Sequence, residues 1–288
     1  MCDELTEGDL DRAGVPVSRR SFAGLVAAGG AAFAAAACAQ GVADKGRMVS
    51  ITTADGTADA YFTHPTSGKH PAVLIWPDIR GLRPAFRQMA DRLAVEGYAV
   101  LALNPFYRDA AGDVVKPTDD WQQPEIRERL FGYAGKLTRE AVARDATTIA
   151  AWLDQQKAVD TKRGIGVTGY CLGGPLTIFS AAAVPGRYKA CGSFHGSRQS
   201  NDTSNSPHLV IAQTQAQYLF ALAENDDARD PVEKDRLRTA LAGRPGFNEV
   251  EVYAGAQHGW CPPDGRAYNE AAAEKAWGRM LALFAAAL

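Results

Sequence analysis

The sequence predicts an α/β fold, with a mostly parallel central sheet and helices on both faces. Three observations predict it. Short apolar runs bounded by turn residues, at 71–76 and 98–103, read as fully buried strands and alternate with segments of helical periodicity. Another such run, 164–168, leads directly into Gly169-Tyr170-Cys171-Leu172-Gly173-Gly174 and then into an apolar, helix-like stretch. Late in the chain, Gln257-His258-Gly259-Trp260 follows the last expected strand. Sheets of this class bind ligands at the carboxyl ends of their strands, where these reactive residue types fall.

Residues 49–52 and 58–63 alternate apolar and polar positions around Asp55-Gly56, the pattern of an opening hairpin. After the strand 71–76, Phe86, Met89 and Leu93 recur at helical spacing over 85–96, and Gly97 stops that helix. The strand 98–103 ends at Asn104-Pro105. The polar stretch 107–136 is expected to be lid-like. Val142, Ala146, Ile149 and Leu153 give 139–156 a helical face. Beyond the cysteine turn the order continues as strand 190–194, strand 217–223, helix 232–242, strand 249–253 and helix 267–287.

With 288 residues, 46% of them hydrophobic, the chain can bury a large core. Residues 48–288 are read as one catalytic domain, 40–47 as a linker and 1–39 as an export signal of the twin-arginine type. Ser18-Arg19-Arg20-Ser21-Phe22 precedes an apolar run, 23–37, that is short for a bilayer span, and Ala37-Cys38-Ala39 offers a small-residue cleavage site. The expected location is therefore periplasmic or extracellular, with no membrane span in the mature chain; the alternative is a lipoprotein anchored at Cys38. A formal charge of -2 with no basic stripe argues against nucleic acid as a partner.

The cysteines do not read as a disulfide framework. Cys2 and Cys38 lie in the leader, which leaves Cys171, Cys191 and Cys261, an odd number. Cys191, inside an apolar run, is expected in a buried strand. The absence of a C-x-x-C pair and of an H-E-x-x-H helix argues against a metal site.

Gly169-Tyr170-Cys171-Leu172-Gly173 has the spacing of a sharp strand-to-helix turn that carries a nucleophile at its tip. Glycines two residues to either side are needed because the turn leaves no room for side chains there. The thiol then sits at a helix N-terminus, where unpaired N–H groups favour a thiolate. Such a cysteine needs a base and a group to orient it. His258 is the expected base, since His208 precedes the candidate acids and lies among polar residues. The acid is expected in Glu224-Asn225-Asp226-Asp227, with Asp226 preferred to Asp227. The backbone N–H groups of Leu172 and Ile79 are the expected oxyanion donors. Trp260 and Tyr170 are candidates for the substrate pocket, whereas Trp76 and Phe106 read as core. His195, at a strand end on the same rim, is either a pocket residue or a satisfied core histidine.

Together, Gly-Tyr-Cys-Leu-Gly-Gly at 169–174, the acid loop at 223–227 and Gln-His-Gly-Trp at 257–260 resemble the dienelactone hydrolase family of the α/β-hydrolase superfamily, from about Met48 to the end of the chain. The resemblance implies an α/β-hydrolase fold and a Cys171, His258, Asp226 triad. It further implies a small ester or lactone substrate, opened through a thioester without metal or organic cofactor. In that family a glutamate in the early-strand loop interacts with the resting thiol; the corresponding residue here is Asp78, a candidate substrate-binding position. Two other function classes fit a poised thiol: a redox protein using Cys171, and a non-catalytic exported binding protein on a hydrolase scaffold.

Overall fold

The computed structural model describes residue 44, residues 46–116, residue 119 and residues 123–288. The expected export signal over 1–39, Cys38 and most of the linker 40–47 lie outside the described residues.

Eight strands form one sheet in the order β1-β2-β4-β3-β5-β6-β7-β8. They are β1 (Arg47–Thr53), β2 (Gly56–Thr63), β3 (Ala72–Trp76), β4 (Ala99–Leu103), β5 (Ile165–Tyr170), β6 (Tyr188–Phe194), β7 (Gln217–Ala223) and β8 (Asn248–Tyr253). β2 pairs antiparallel with both β1 and β4, and from β4 to β8 every pairing is parallel. Every residue of β3, β4 and β5 is buried, as expected for parallel strands covered on both faces.

The described α-helices are α1 (Pro84–Val95), α2 (Pro124–Ala134), α3 (Arg139–Asp154), α4 (Gly173–Ala183), α5 (Glu224–Arg229), α6 (Glu233–Leu241) and α7 (Glu270–Ala287), with a 3-10 helix over Pro207–Gln213. One apolar core joins Val142, Ile149 and Leu153 of α3, Ile178 of α4 and Leu237 of α6 to one sheet face. On the other face, Phe86 and Leu93 of α1 and Met280 and Phe284 of α7 complete a second core. Side-chain oxygens at two helix starts accept backbone N–H groups: Thr138 from Ala141 at 3.2 Å, and Asn269 from Ala272 at 3.1 Å.

The segment expected to be lid-like contains α2. Its Ile126 and Leu130, four residues apart, bury against Ile79, Phe106 and Val114 in a small satellite core. The turn of helix therefore packs beneath the loop that leaves β3. The acid loop also contains a helix, the short α5, and α7 begins three residues later than the expected 267.

Register places the site. Trp76 pairs with Gly169, Tyr170 with Phe194, Phe194 with Ala221 and Ala223 with Tyr253. The carboxyl ends of β3, β5, β6, β7 and β8 thus share one rim, and the segments that leave them bring Ile79, Cys171, His195, Asp226 and His258 to it.

Candidate active site

Cys171 sits between β5 and α4 with φ 52°, in the left-handed region that a residue with a side chain seldom adopts. Such a conformation costs about 1–2 kcal/mol and persists only where the surroundings enforce it. They do so through the backbone. The Cys171 N–H donates to the Phe194 carbonyl at 3.1 Å, while its own carbonyl accepts from Gly174 at 3.0 Å and Ser197 at 3.2 Å. The flanking glycines follow from contact distances: a Cβ on Gly169 would lie 2.0 Å from the Gly173 carbonyl oxygen, and one on Gly173 would lie 2.3 Å from that of Trp76. Cys171 is 2% exposed, and its sulfur lies 3.9 Å from the Ser197 hydroxyl oxygen.

Cys171, Cys191 and Cys261 are all outside disulfides. Burial pushes the Cys191 and Cys261 thiols well up, which makes them poor nucleophiles.

His258 is carried by the loop after β8, between Gly255 and Gly259, both of which have positive φ. Its Nδ1 lies 2.6 Å from Oδ2 of Asp226. Three further hydrogen bonds strap this loop to α5: His258 N–H to the Asn225 side-chain oxygen at 2.8 Å, Glu224 N–H to the Ala256 carbonyl at 2.9 Å, and Gly255 N–H to the Glu224 carboxylate at 3.2 Å. Asp227 faces away and is held by Lys234 at 2.7 and 2.8 Å. An Nδ1 bonded to a carboxylate leaves Nε2 as the proton-accepting atom.

Cys171, His258, His195, Ile79 and Asp78 line one narrow cleft, whose accessible volume is about 10 Å³. Among the described residues, no acceptor meets the backbone N–H of Ile79 or of Leu172, so both donors remain available. Asp78 is not left to the thiol. Arg83 grips its two oxygens at 2.6 and 2.9 Å and reaches Asp264 at 2.6 and 2.9 Å on its other edge. Burial opposes the charge of Arg83, but the two carboxylates outweigh it and push its pKa up. Burial likewise opposes the charge of Asp264, and the Arg83 guanidinium holds that carboxyl below the usual range. Nothing in the local sequence marks Arg83, because its second partner lies 181 residues away.

Two expected pocket residues lie elsewhere. Tyr170, the last residue of β5, points to the face opposite its neighbour and lines a separate cavity of about 510 Å³ with Cys261, Trp277 and Met280. Trp260 is 0% exposed and packs between Tyr253 and His195, with ring centroids 5.2 and 5.1 Å away. Trp76 and Phe106 are core residues, and the Trp76 indole N–H donates to Ser180 at 3.0 Å. Among the described residues, no group of three or more His, Cys, Asp or Glu side chains is arranged to hold a metal ion.

Residues 58–288 match the sequence profile of the dienelactone hydrolase family. The chain belongs to that family. A Salmonella typhi protein with the provisional name carboxymethylenebutenolidase is 30% identical over 243 residues, 83% of this chain and 86% of the relative. The carboxymethylenebutenolidase of Rhodococcus opacus is 27% identical over 234 residues, 80% of this chain and 87% of its own. A crystal structure from Klebsiella pneumoniae, provisionally named a dienelactone hydrolase, superposes with a TM-score of 0.70 at 26% identity and covers 84% of this chain and 98% of that one. The fold is the α/β-hydrolase fold, and this member of the dienelactone hydrolase family is an enzyme, a hydrolase.

Proposed function

We propose that the enzyme hydrolyses a small carboxylic ester or lactone through a thioester on Cys171. The observation that carries this reading is the 2.6 Å contact between His258 and Asp226 in a cleft that Cys171 also lines. His258 takes the thiol proton as Sγ attacks the carbonyl carbon, and Asp226 stabilises the imidazolium that forms. The developing oxyanion is met by the N–H groups of Ile79 and Leu172. Collapse of the tetrahedral intermediate expels the alkoxide, which leaves with the proton held by His258. In a lactone that alkoxide stays tethered to the acyl group. Water then attacks the thioester with His258 as base and frees the acid and the thiol.

The cleft is narrow, and Asp78, Arg80 and Arg83 line it from the loop after β3. This supports a compact substrate with polar groups near the scissile bond. We also propose that the chain is exported by a signal over residues 1–39, which N-terminal sequencing of the mature protein tests.

Turnover of a panel of lactones and aryl esters tests the assignment. The Cys171→Ala variant is expected to melt like the parent chain and to lose turnover on every substrate. Retained hydrolysis in that variant overturns the role of Cys171.

A further inference from the structure

His195 does not enter the mechanism above, yet it is the most unusual polar residue in the structure. It directly follows β6 with φ 39°, is 0% exposed and lines the cleft with Cys171 and His258. Neither of its ring nitrogens has a hydrogen-bond partner among the described side chains or the backbone of other residues. A buried polar group without a partner costs about 1–3 kcal/mol, so its retention needs a reason. Packing supplies none that an apolar ring would not, since its neighbours are aromatic: Trp260 at 5.1 Å, His258 at 5.2 Å and Tyr170 at 6.0 Å between ring centroids.

Two features say what that ring can hold. The cleft it lines holds about 10 Å³ of accessible space, the size of a single water site. His195 and His258 both line that cleft with ring centroids 5.2 Å apart, close enough for one water to lie against both rings. Burial, and then the positive charge that His258 acquires, drive the His195 pKa well below the usual histidine range. His195 therefore stays neutral while His258 cycles, with one nitrogen donating and the other accepting.

We propose that His195 binds the hydrolytic water and, with His258, holds it against the thioester carbonyl. This role rests on the thioester reading above. In the step concerned, the water oxygen forms a C–O bond to the acyl carbon and its proton passes to His258. The carbonyl electron pair moves to oxygen, then returns as the C–S bond breaks. Sulfur leaves with the bonding pair and recovers a proton from His258. His195 ends as it began, and the products are the carboxylic acid and the Cys171 thiol.

The role predicts that His195 serves deacylation and not acylation. With 4-nitrophenyl acetate, nitrophenolate release in the first turnover reports acylation, and the intact mass of acetylated chain, followed after substrate is removed, reports deacylation. In His195→Phe and in His195→Leu, first-turnover release is expected to stay within about 3-fold of the parent while acetyl loss slows about 10-fold or more. His195→Gln, which restores a polar group, is expected to recover most of that loss. The two apolar shapes and the polar variant guard against one substitution that fails to fold. Acetyl loss at the parent rate in the apolar variants overturns the role, and so does an equal slowing of both steps. If the parent chain hydrolyses the ester and never carries acetyl on Cys171, the thioester reading itself fails, a different result from either of these.

Discussion

Asp226→Asn removes the charge that faces His258 and keeps the shape of the side chain. The two groups meet at 2.6 Å with side-chain exposures of 4% for His258 and 12% for Asp226, so solvent screens them weakly. With charge centres about 4 Å apart and an effective dielectric of about 20, the carboxylate stabilises the imidazolium by about 4 kcal/mol. Each 1.36 kcal/mol is about a factor of ten in rate, so kcat is expected to fall about 10³-fold. The asparagine can also present its NH₂ to the ring and favour the wrong tautomer, an effect that adds to the loss. Asp227→Asn is the matched control. Its partner is the partly exposed Lys234, an interaction worth about 1 kcal/mol of stability, and kcat should stay within about 3-fold of the parent. Initial rates on an aryl ester, with thermal melts to establish that both variants fold, decide between them. If Asp227→Asn is the more damaged variant, or if Asp226→Asn retains a third of the parent kcat, the reasoning is wrong.

Three further outcomes follow from the same structure. Gly173→Ala drives a Cβ to 2.3 Å from the Trp76 carbonyl oxygen and displaces the loop that carries Ile79; calorimetry should show a loss of about 2 kcal/mol and assays about a 100-fold drop in turnover, and parent-like values refute the crowding argument. Arg83→Met strips the buried Asp78 carboxylate of its cation and leaves Asp264 only Arg80, at 3.7 Å, and urea unfolding should register a loss of about 3–5 kcal/mol; a change under about 1 kcal/mol contradicts the buried ion pair. Burial holds the Glu233 carboxyl up at about 7, against an ordinary 4.5, although it accepts the Ser200 N–H at 3.0 Å. The folded chain therefore keeps a proton that the unfolded chain releases, so this group's contribution is full below pH 4.5 and is lost as pH rises through about 7. The stability of Glu233→Gln relative to the parent should rise by about 3 kcal/mol between pH 4.5 and pH 8, and a pH-independent difference counts against it.

Local pattern was enough wherever a residue's position follows from its immediate neighbours. Fully apolar runs announced β3, β4 and β5, and the glycines at 169 and 173 announced the turn because steric exclusion acts within five residues. The histidine loop was legible for a similar reason, with Gly255 and Gly259 bracketing His258 after a strand. Helix α2 was hidden because only Ile126 and Leu130 of its eleven residues are buried, too few to make a periodic stripe among charges. Asp226 and Asp227 could be ranked but not separated, since which of two adjacent carboxylates faces the ring depends on the rotation of α5, which tertiary packing sets. Tyr170 and Trp260 were expected in the pocket for their proximity in sequence to Cys171 and His258. Strand alternation and the stacking against Tyr253 turn them into the second apolar core. Arg83 and the orphaned nitrogens of His195 are properties of the assembled chain, and no local signal reports them.

The central claim is that one sulfur, held at the tip of the turn between β5 and α4, carries the acyl group during turnover. Rapid mixing of the full chain with a lactone, acid quench and peptide mapping by mass spectrometry test it most directly. The expected result is a single acyl adduct on the peptide that contains Cys171, formed and lost at rates that match turnover. Steady hydrolysis with that peptide unmodified at every time point contradicts it.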